Sequence, residues 1–175
     1  MIELKVEYFV SSVIIKAEIW NNSLKKFSFC DMIFDTGASM TAISTKVARR
    51  SGYSLKNGED IFISGIGGGR VPAKRIIVHN FKLGGVELGP IAVDAVDFPV
   101  ESNVSALLGM NIIKEFKVFA DSRDKRPYPD GRDATIILEP SFDINSIPPL
   151  ENFTFKDSRF GIWIAEKHDE HDKSW

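Results

Sequence analysis

Side chains branched at Cβ dominate the aliphatic residues of this chain. It contains 20 Ile and 12 Val against 9 Leu and 11 Ala, and branched side chains suit a pleated sheet better than a helix. One extended segment also alternates between two faces, because Val13, Ile15, Ala17 and Ile19 recur at every second position. The sequence therefore predicts an all-β fold.

Length and composition indicate one globular domain that binds neither nucleic acid nor a membrane. The chain has 175 residues, of which 43% are hydrophobic and 26% charged, which excludes wholesale disorder. Its 22 basic and 24 acidic residues leave a net charge of −2, so no broad positive field favours nucleic acid as a partner. Apolar runs fall far short of the roughly 20 residues that span a bilayer. We expect a cytoplasmic protein with no membrane partner.

The order of local signals predicts strands joined by short turns. A strand over 27–34 ends at Asp35-Thr36-Gly37, and a short helix over 44–52 carries a serine cap and a closing glycine. Gly84-Gly85 is a two-residue hairpin turn. About one helical turn is predicted over 111–116, and a long loop over 121–133. Further strands are predicted over 91–96, 106–109, 117–119 and 134–138.

A glycine-rich segment, Ile61 to Val71, consists of two apolar arms around a tip that contains Gly65, Ile66 and Gly67. This pattern predicts a mobile hairpin. Phosphate binding is the alternative, but it needs a helix N-terminus or a P-loop lysine after the glycines. Val71 and Pro72 follow instead, which favours the hairpin.

Asp35-Thr36-Gly37 is the strongest candidate for chemistry. An acid at the end of a buried strand is costly without a function or a partner, although Asp before a glycine commonly makes a simple turn. Here the motif follows an apolar strand and precedes the glycine-tipped hairpin and then Leu107-Leu108-Gly109. The ordered triple is more specific than any one of its parts.

This ordered triple resembles the retropepsin-like aspartic proteases, over about Ile14 to Phe119. The resemblance implies a closed acid-protease β-barrel over residues 1–139, with a short helix after the Leu-Leu-Gly strand. Residues 140–175 would be an extension, partly packed and mobile at its end. The family carries one Asp-Thr-Gly per chain and builds its site across a two-fold dimer. The resemblance therefore implies a homodimer that acts on a peptide or protein substrate and needs no metal or cofactor.

The same resemblance implies residue roles. Asp35 from each subunit would share a proton with its partner's copy, activate a water and protonate the substrate carbonyl. Thr36 would hydrogen-bond across the dimer, and Gly37 would let backbone groups approach the carboxylates. The implied substrate-binding residues are Ser39, Ser64, Gly65, Ile66, Gly67 and Leu107, with the backbone N–H of Ile66 acting through a water. The predicted activity is that of an endopeptidase preferring apolar side chains beside the scissile bond; the alternative is a silent dimerisation or peptide-binding module.

Three positions depart from the family pattern. Ala38 stands where pepsin has a serine, which predicts a pH optimum less acidic than that of pepsin. Retroviral proteases have an aspartate at the position of Ser39 and an arginine at that of Met110, and these pair near the dimer interface. Since this chain lacks both, we expect the strands over 116–120 and 134–138 to hold the dimer instead.

Other reactive side chains have simpler interpretations. Cys30 is the only cysteine, so no intrachain disulfide or cysteine metal cluster can form, and we expect a buried small hydrophobe. His168 and His171 have ligand-like spacing, but a solvated charged tail explains them.

The apolar segments 153–155 and 160–164 are expected to pack on the barrel or the dimer sheet.

Overall fold

The computed structural model describes residues 1–9, 12–64, 68–121 and 135–146. Several predictions concern residues outside these ranges. They are the glycine tip, the loop over 121–133 beyond its first residue, the apolar segments 153–155 and 160–164, and the two tail histidines. Within them the chain forms short helices α1 (Thr45–Arg50) and α2 (Met110–Ile113). The strands are β1 (Ile2–Phe9), β2 (Ser12–Asn21), β3 (Lys26–Phe34), β4 (Ala42–Ser44), β5 (Glu59–Ser64), β6 (Arg70–Leu83), β7 (Val86–Val96), β8 (Ala106–Leu108), β9 (Phe116–Asp121) and β10 (Thr135–Pro140).

The ten strands form one sheet, which confirms the predicted all-β class. Their order across the sheet is β5-β6-β7-β4-β8-β3-β2-β1-β10-β9. The sheet curls so strongly that β2 also pairs with β6, through Ala17 to Ile19 against Phe81 to Leu83. The alternating face of β2 points inward as predicted, with Ile15, Ala17 and Ile19 buried in the core.

The caps, turns and short helices formed where the local sequence predicted them. The Ser44 side chain caps α1 by accepting a hydrogen bond from Val47 N at 3.1 Å. Gly84 and Gly85 join β6 to β7 with φ angles of 52° and 81°, the positive values that a tight hairpin turn demands. The helical turn after the Leu-Leu-Gly strand is α2. None of the helices in the described ranges is long and apolar enough to cross a membrane.

The arrangement around β8 positions the candidate site. This strand lies between β3 and β4, parallel to the first and antiparallel to the second. Leu108, its last residue, is fully buried and is the cross-strand neighbour of Phe34. The chain therefore leaves β3 at Asp35 and leaves β8 at Gly109 on the same side of the sheet.

Candidate active site

Asp35 lies in a tight loop that begins where β3 ends. Its amide nitrogen donates a hydrogen bond to Leu108 O at 3.0 Å, which fixes the loop to the end of β8. Its carboxylate oxygen Oδ1 accepts a hydrogen bond from Gly37 N at 2.8 Å. A Cβ at Gly37 would lie 3.1 Å from that same oxygen, so glycine suits this close approach. The carboxylate is thus held by the backbone of its own loop.

The loop continues into hydrogen bonds with α2. Met110 N donates to Ala38 O at 2.8 Å, and Asn111 N donates to Ser39 O at 3.0 Å. Met110 packs against the main hydrophobic core, which is how the chain uses the position where retroviral proteases have an arginine. The loop and α2 are therefore joined by backbone contacts rather than by an ion pair.

A buried polar pair lies beneath the loop. Asn111 Oδ1 accepts hydrogen bonds from Thr41 N at 2.7 Å and from Thr41 Oγ1 at 2.8 Å. Thr41 Oγ1 accepts from Gly109 N at 3.1 Å, and Asn111 Nδ2 donates to Ala92 O at 3.0 Å. Because buried polar groups are costly without partners, this network stabilises one arrangement of the loop.

Asp35 opens onto a cleft of about 750 Å³. Four other predicted site residues, Gly37, Ser39, Ser64 and Leu107, also line it. Thr36 is exposed and is not part of the lining. The predicted residues Gly65, Ile66 and Gly67 lie outside the described part of the chain.

The arms of the glycine-tipped hairpin form one wall of the cleft. β5 and β6 pair antiparallel from Glu59 opposite Arg75 to Ser64 opposite Arg70. Ile61 and Ile63 line the cleft and pack against the small core cluster that contains Ala42 and Val96. This hairpin, called the flap below, therefore presents an apolar face to the space above Asp35.

An ion pair that sequence reasoning missed forms part of the same wall. Arg75 Nε lies 2.8 Å from Asp94 Oδ1, and Arg75 Nη2 lies 3.1 Å from Asp94 Oδ2. Only 12% and 4% of the two side chains is exposed. Burial opposes the charge of Arg75, but the hydrogen bonds and charge of Asp94 and the charge of Glu59 outweigh it, so the pKa of Arg75 is raised.

Thr41 and Asn111 were also missed, since neither residue type signals a function by itself. The only available signal was position: Thr41 follows the Asp-Thr-Gly motif closely, and Asn111 stands two residues after the Leu-Leu-Gly strand. Their contact brings the residue just before β4 against α2, which spacing along the chain does not reveal.

Comparison with known proteins agrees with this geometry. Residues 17–112, more than half of the chain, match the family model described as aspartyl protease. A crystal structure of a retropepsin-like aspartic protease from Rickettsia conorii has a similar fold, with a TM-score of 0.55 and 21% sequence identity; the match covers 78% of this chain and 99% of that chain. No curated protein matches by sequence. The chain belongs to the aspartyl protease family and has a retropepsin-like fold.

Proposed function

We propose that the protein is an aspartic endopeptidase that works as a homodimer, with one Asp35 from each subunit. The observation that carries the proposal is the placement of Asp35. Its carboxylate opens onto a large cleft and accepts a hydrogen bond from Gly37 N. In the proposed assembly the curled sheet is a closed barrel, which the pairing of β2 with β6 supports.

Two adjacent carboxylates provide both the acid and the base that peptide hydrolysis needs. They share one proton, because two neighbouring negative charges are unfavourable. The ionised carboxylate takes a proton from a water molecule while the water oxygen attacks the carbonyl carbon of the peptide. The protonated carboxyl donates its proton to the carbonyl oxygen. The carboxyl that took the proton from the water then passes it to the amide nitrogen, and the C–N bond breaks. As the carbonyl re-forms, the other carboxylate takes back the hydroxyl proton, which restores the shared-proton pair.

The cleft walls suit an extended peptide. Ile61, Ile63 and Leu107 offer apolar contacts, while Ser39 and Ser64 add polar groups at its edge. We expect the flap tip over 65–67 to close on the substrate backbone, with Ile66 N–H acting through a water. Thr36, exposed beside Asp35, is expected to hydrogen-bond to the partner subunit.

A strand with one open edge among the described residues supports the homodimer. β9 ends the strand order at one side of the sheet, and its side chains Val118 and Phe119 are 40% and 51% exposed. Exposed apolar edge strands readily pair with another chain. β9 pairs with β10 along its length, so the two strands that we expect at the dimer interface already form one unit.

The test is digestion of a peptide library by the wild-type protein and by Asp35→Asn. Removing an acid–base group lowers turnover by about 10²- to 10⁴-fold. Asp31→Asn is the matched control, because Asp31 is an exposed acid on β3 and does not line the cleft. Undiminished cleavage by Asp35→Asn excludes the aspartic mechanism. Peptide binding without turnover by all three proteins favours the silent peptide-binding module.

A further inference from the structure

One lateral row of neighbouring residues crosses six strands, from the strand that precedes Asp35 to the flap. Each member lies opposite the next in the strand register, and the row consists of Ile33, Leu107, Ala42, Asp94, Arg75 and Glu59. All except Ile33 line the cleft. The row is apolar near Asp35 and charged at its far end, so the lining of the cleft changes from apolar to charged along its length.

The charges at that end do not cancel. Arg75 is committed to Asp94 through two hydrogen bonds. Glu59, its other cross-strand neighbour, forms no ion pair within the described residues. The nearby Asp60 is compensated, since its Oδ1 lies 2.7 Å from Lys74 Nζ. One carboxylate, that of Glu59, is therefore left over in the cleft wall.

Glu59 shares a strand face with the apolar wall of the cleft. Burial alternates along β5, and Glu59, Ile61 and Ile63 are its half-buried members. Alternate residues of a strand are about 7 Å apart, so a substrate side chain that lies against Ile61 and points towards residue 59 ends beside the Glu59 carboxylate. Lysine and arginine combine a long apolar stem with a charged head, which matches an apolar surface that leads to a carboxylate.

We propose that Glu59 is a specificity-determining residue that selects peptides carrying lysine or arginine at the position facing it. This inference rests on the proposed use of the cleft for extended peptides. A basic head neutralises the surplus carboxylate, whereas an apolar side chain covers it without a partner, which is unfavourable. An acidic side chain adds repulsion.

The experiment measures peptide binding in the Asp35→Asn protein, where cleavage does not consume the probe. Fluorescent extended peptides are compared in pairs that carry lysine or norleucine at one position, and each position is examined in turn. At one position we expect the lysine peptide to bind about three- to fivefold more tightly. Glu59→Gln should remove this preference, and Glu59→Lys should transfer it to a glutamate peptide. Glu87→Gln, an exposed acid outside the cleft lining, should leave it unchanged.

The outcomes separate this inference from the proposed function. The inference is overturned if the ratio of the binding affinities of the lysine and norleucine peptides changes with neither Glu59→Gln nor Glu59→Lys. Failure of every peptide to bind also overturns it. The same peptides are then offered to the protein with Asp35 intact. Binding that follows the charge at residue 59 without any cleavage supports the inference and contradicts the protease.

Discussion

Thr41 and Asn111, which are 70 residues apart in the chain, are joined by two hydrogen bonds to one amide oxygen. Both residues are buried, at 0% and 2% exposure. Since Asn111 also bonds to Ala92 O and Thr41 also bonds to Gly109 N, the pair links the segment just before β4 to β7 and α2, beneath the Asp35 loop. The geometry of the loop therefore depends on buried residues that are not part of the cleft lining.

Replacing Asn111 with leucine should destabilise the protein by about 3–5 kcal/mol, because it strands several buried polar groups at once. Thr41→Val should cost less, about 1–3 kcal/mol, since it removes only the hydroxyl. Urea denaturation followed by circular dichroism measures both values. Asn145→Ala, at an exposed position, is the control and should change stability by less than about 0.5 kcal/mol. Equal small effects for all three would show that the network is not structurally important.

Phe119→Lys should weaken the proposed homodimer while leaving the monomer folded. Phe119 is half exposed on the edge strand β9, and lysine on a sheet edge opposes pairing with another chain. Sedimentation should show at least about a tenfold rise in the dimer dissociation constant, and turnover per chain should fall most at low protein concentration. Lys114→Gln, at an exposed position just after α2, is the comparison. A dimer that tolerates Phe119→Lys unchanged would place the interface elsewhere.

The sequence reveals the features that depend on local chemistry. The inward face of β2, the Ser44 cap and the Gly84-Gly85 turn each follow from a few consecutive residues, and all three formed as predicted. Asp35 was also recognisable, because Asp-Thr-Gly follows an apolar strand and precedes, in order, the glycine-tipped hairpin and Leu107-Leu108-Gly109. Local signals thus sufficed for these elements, and the order of motifs along the chain singled out Asp35.

The partners of Arg75 and Thr41 were not predictable in the same way. Arg75 lies in a strand whose pattern gives no sign of burial beside an acid, and its contact with Asp94 depends on the register between β6 and β7. That register shifts after Val78, so counting back from the hairpin turn does not identify the pair. Such contacts depend on the assembled sheet rather than on any segment of it.

The Arg75–Asp94 pair should respond asymmetrically to single replacements. Arg75→Met leaves the carboxylate of Asp94 buried without its cation, which should cost about 3–5 kcal/mol. Asp94→Leu should cost less, because Glu59 still faces Arg75. The double variant should recover most of the loss, since replacing both partners avoids an unpaired buried charge.

A double-mutant cycle from urea denaturation measures this coupling. The partly exposed pair Lys82–Glu87, whose charged atoms are 3.4 Å apart and whose side chains are 19% and 55% exposed, provides the reference and should couple by less than about 1 kcal/mol. If the Arg75–Asp94 cycle gave no larger coupling than this reference, the buried pair would contribute nothing specific to the cleft wall.

Cys30 should make stability fall in alkaline solution. Burial, with a further contribution from the charge of Asp31, raises the pKa of its thiol from 9.0 to about 12. Between these values the unfolded chain has lost the thiol proton and the folded chain retains it, so the free energy of unfolding decreases as pH rises from about 9 towards 12. Below pH 9 both states hold the proton and the thiol contributes no pH dependence.

Cys30→Ala removes this titration, so its stability should fall less steeply than that of the wild type above pH 9. Urea denaturation at a series of pH values compares the two slopes, which is independent of any constant loss from the smaller side chain. Because only the thiolate reacts, iodoacetamide at pH 8 should also modify native Cys30 at least about 10²-fold more slowly than the urea-unfolded chain. Parallel pH slopes combined with rapid alkylation of the native protein would mean that Cys30 is accessible and that its proton is not held by the fold.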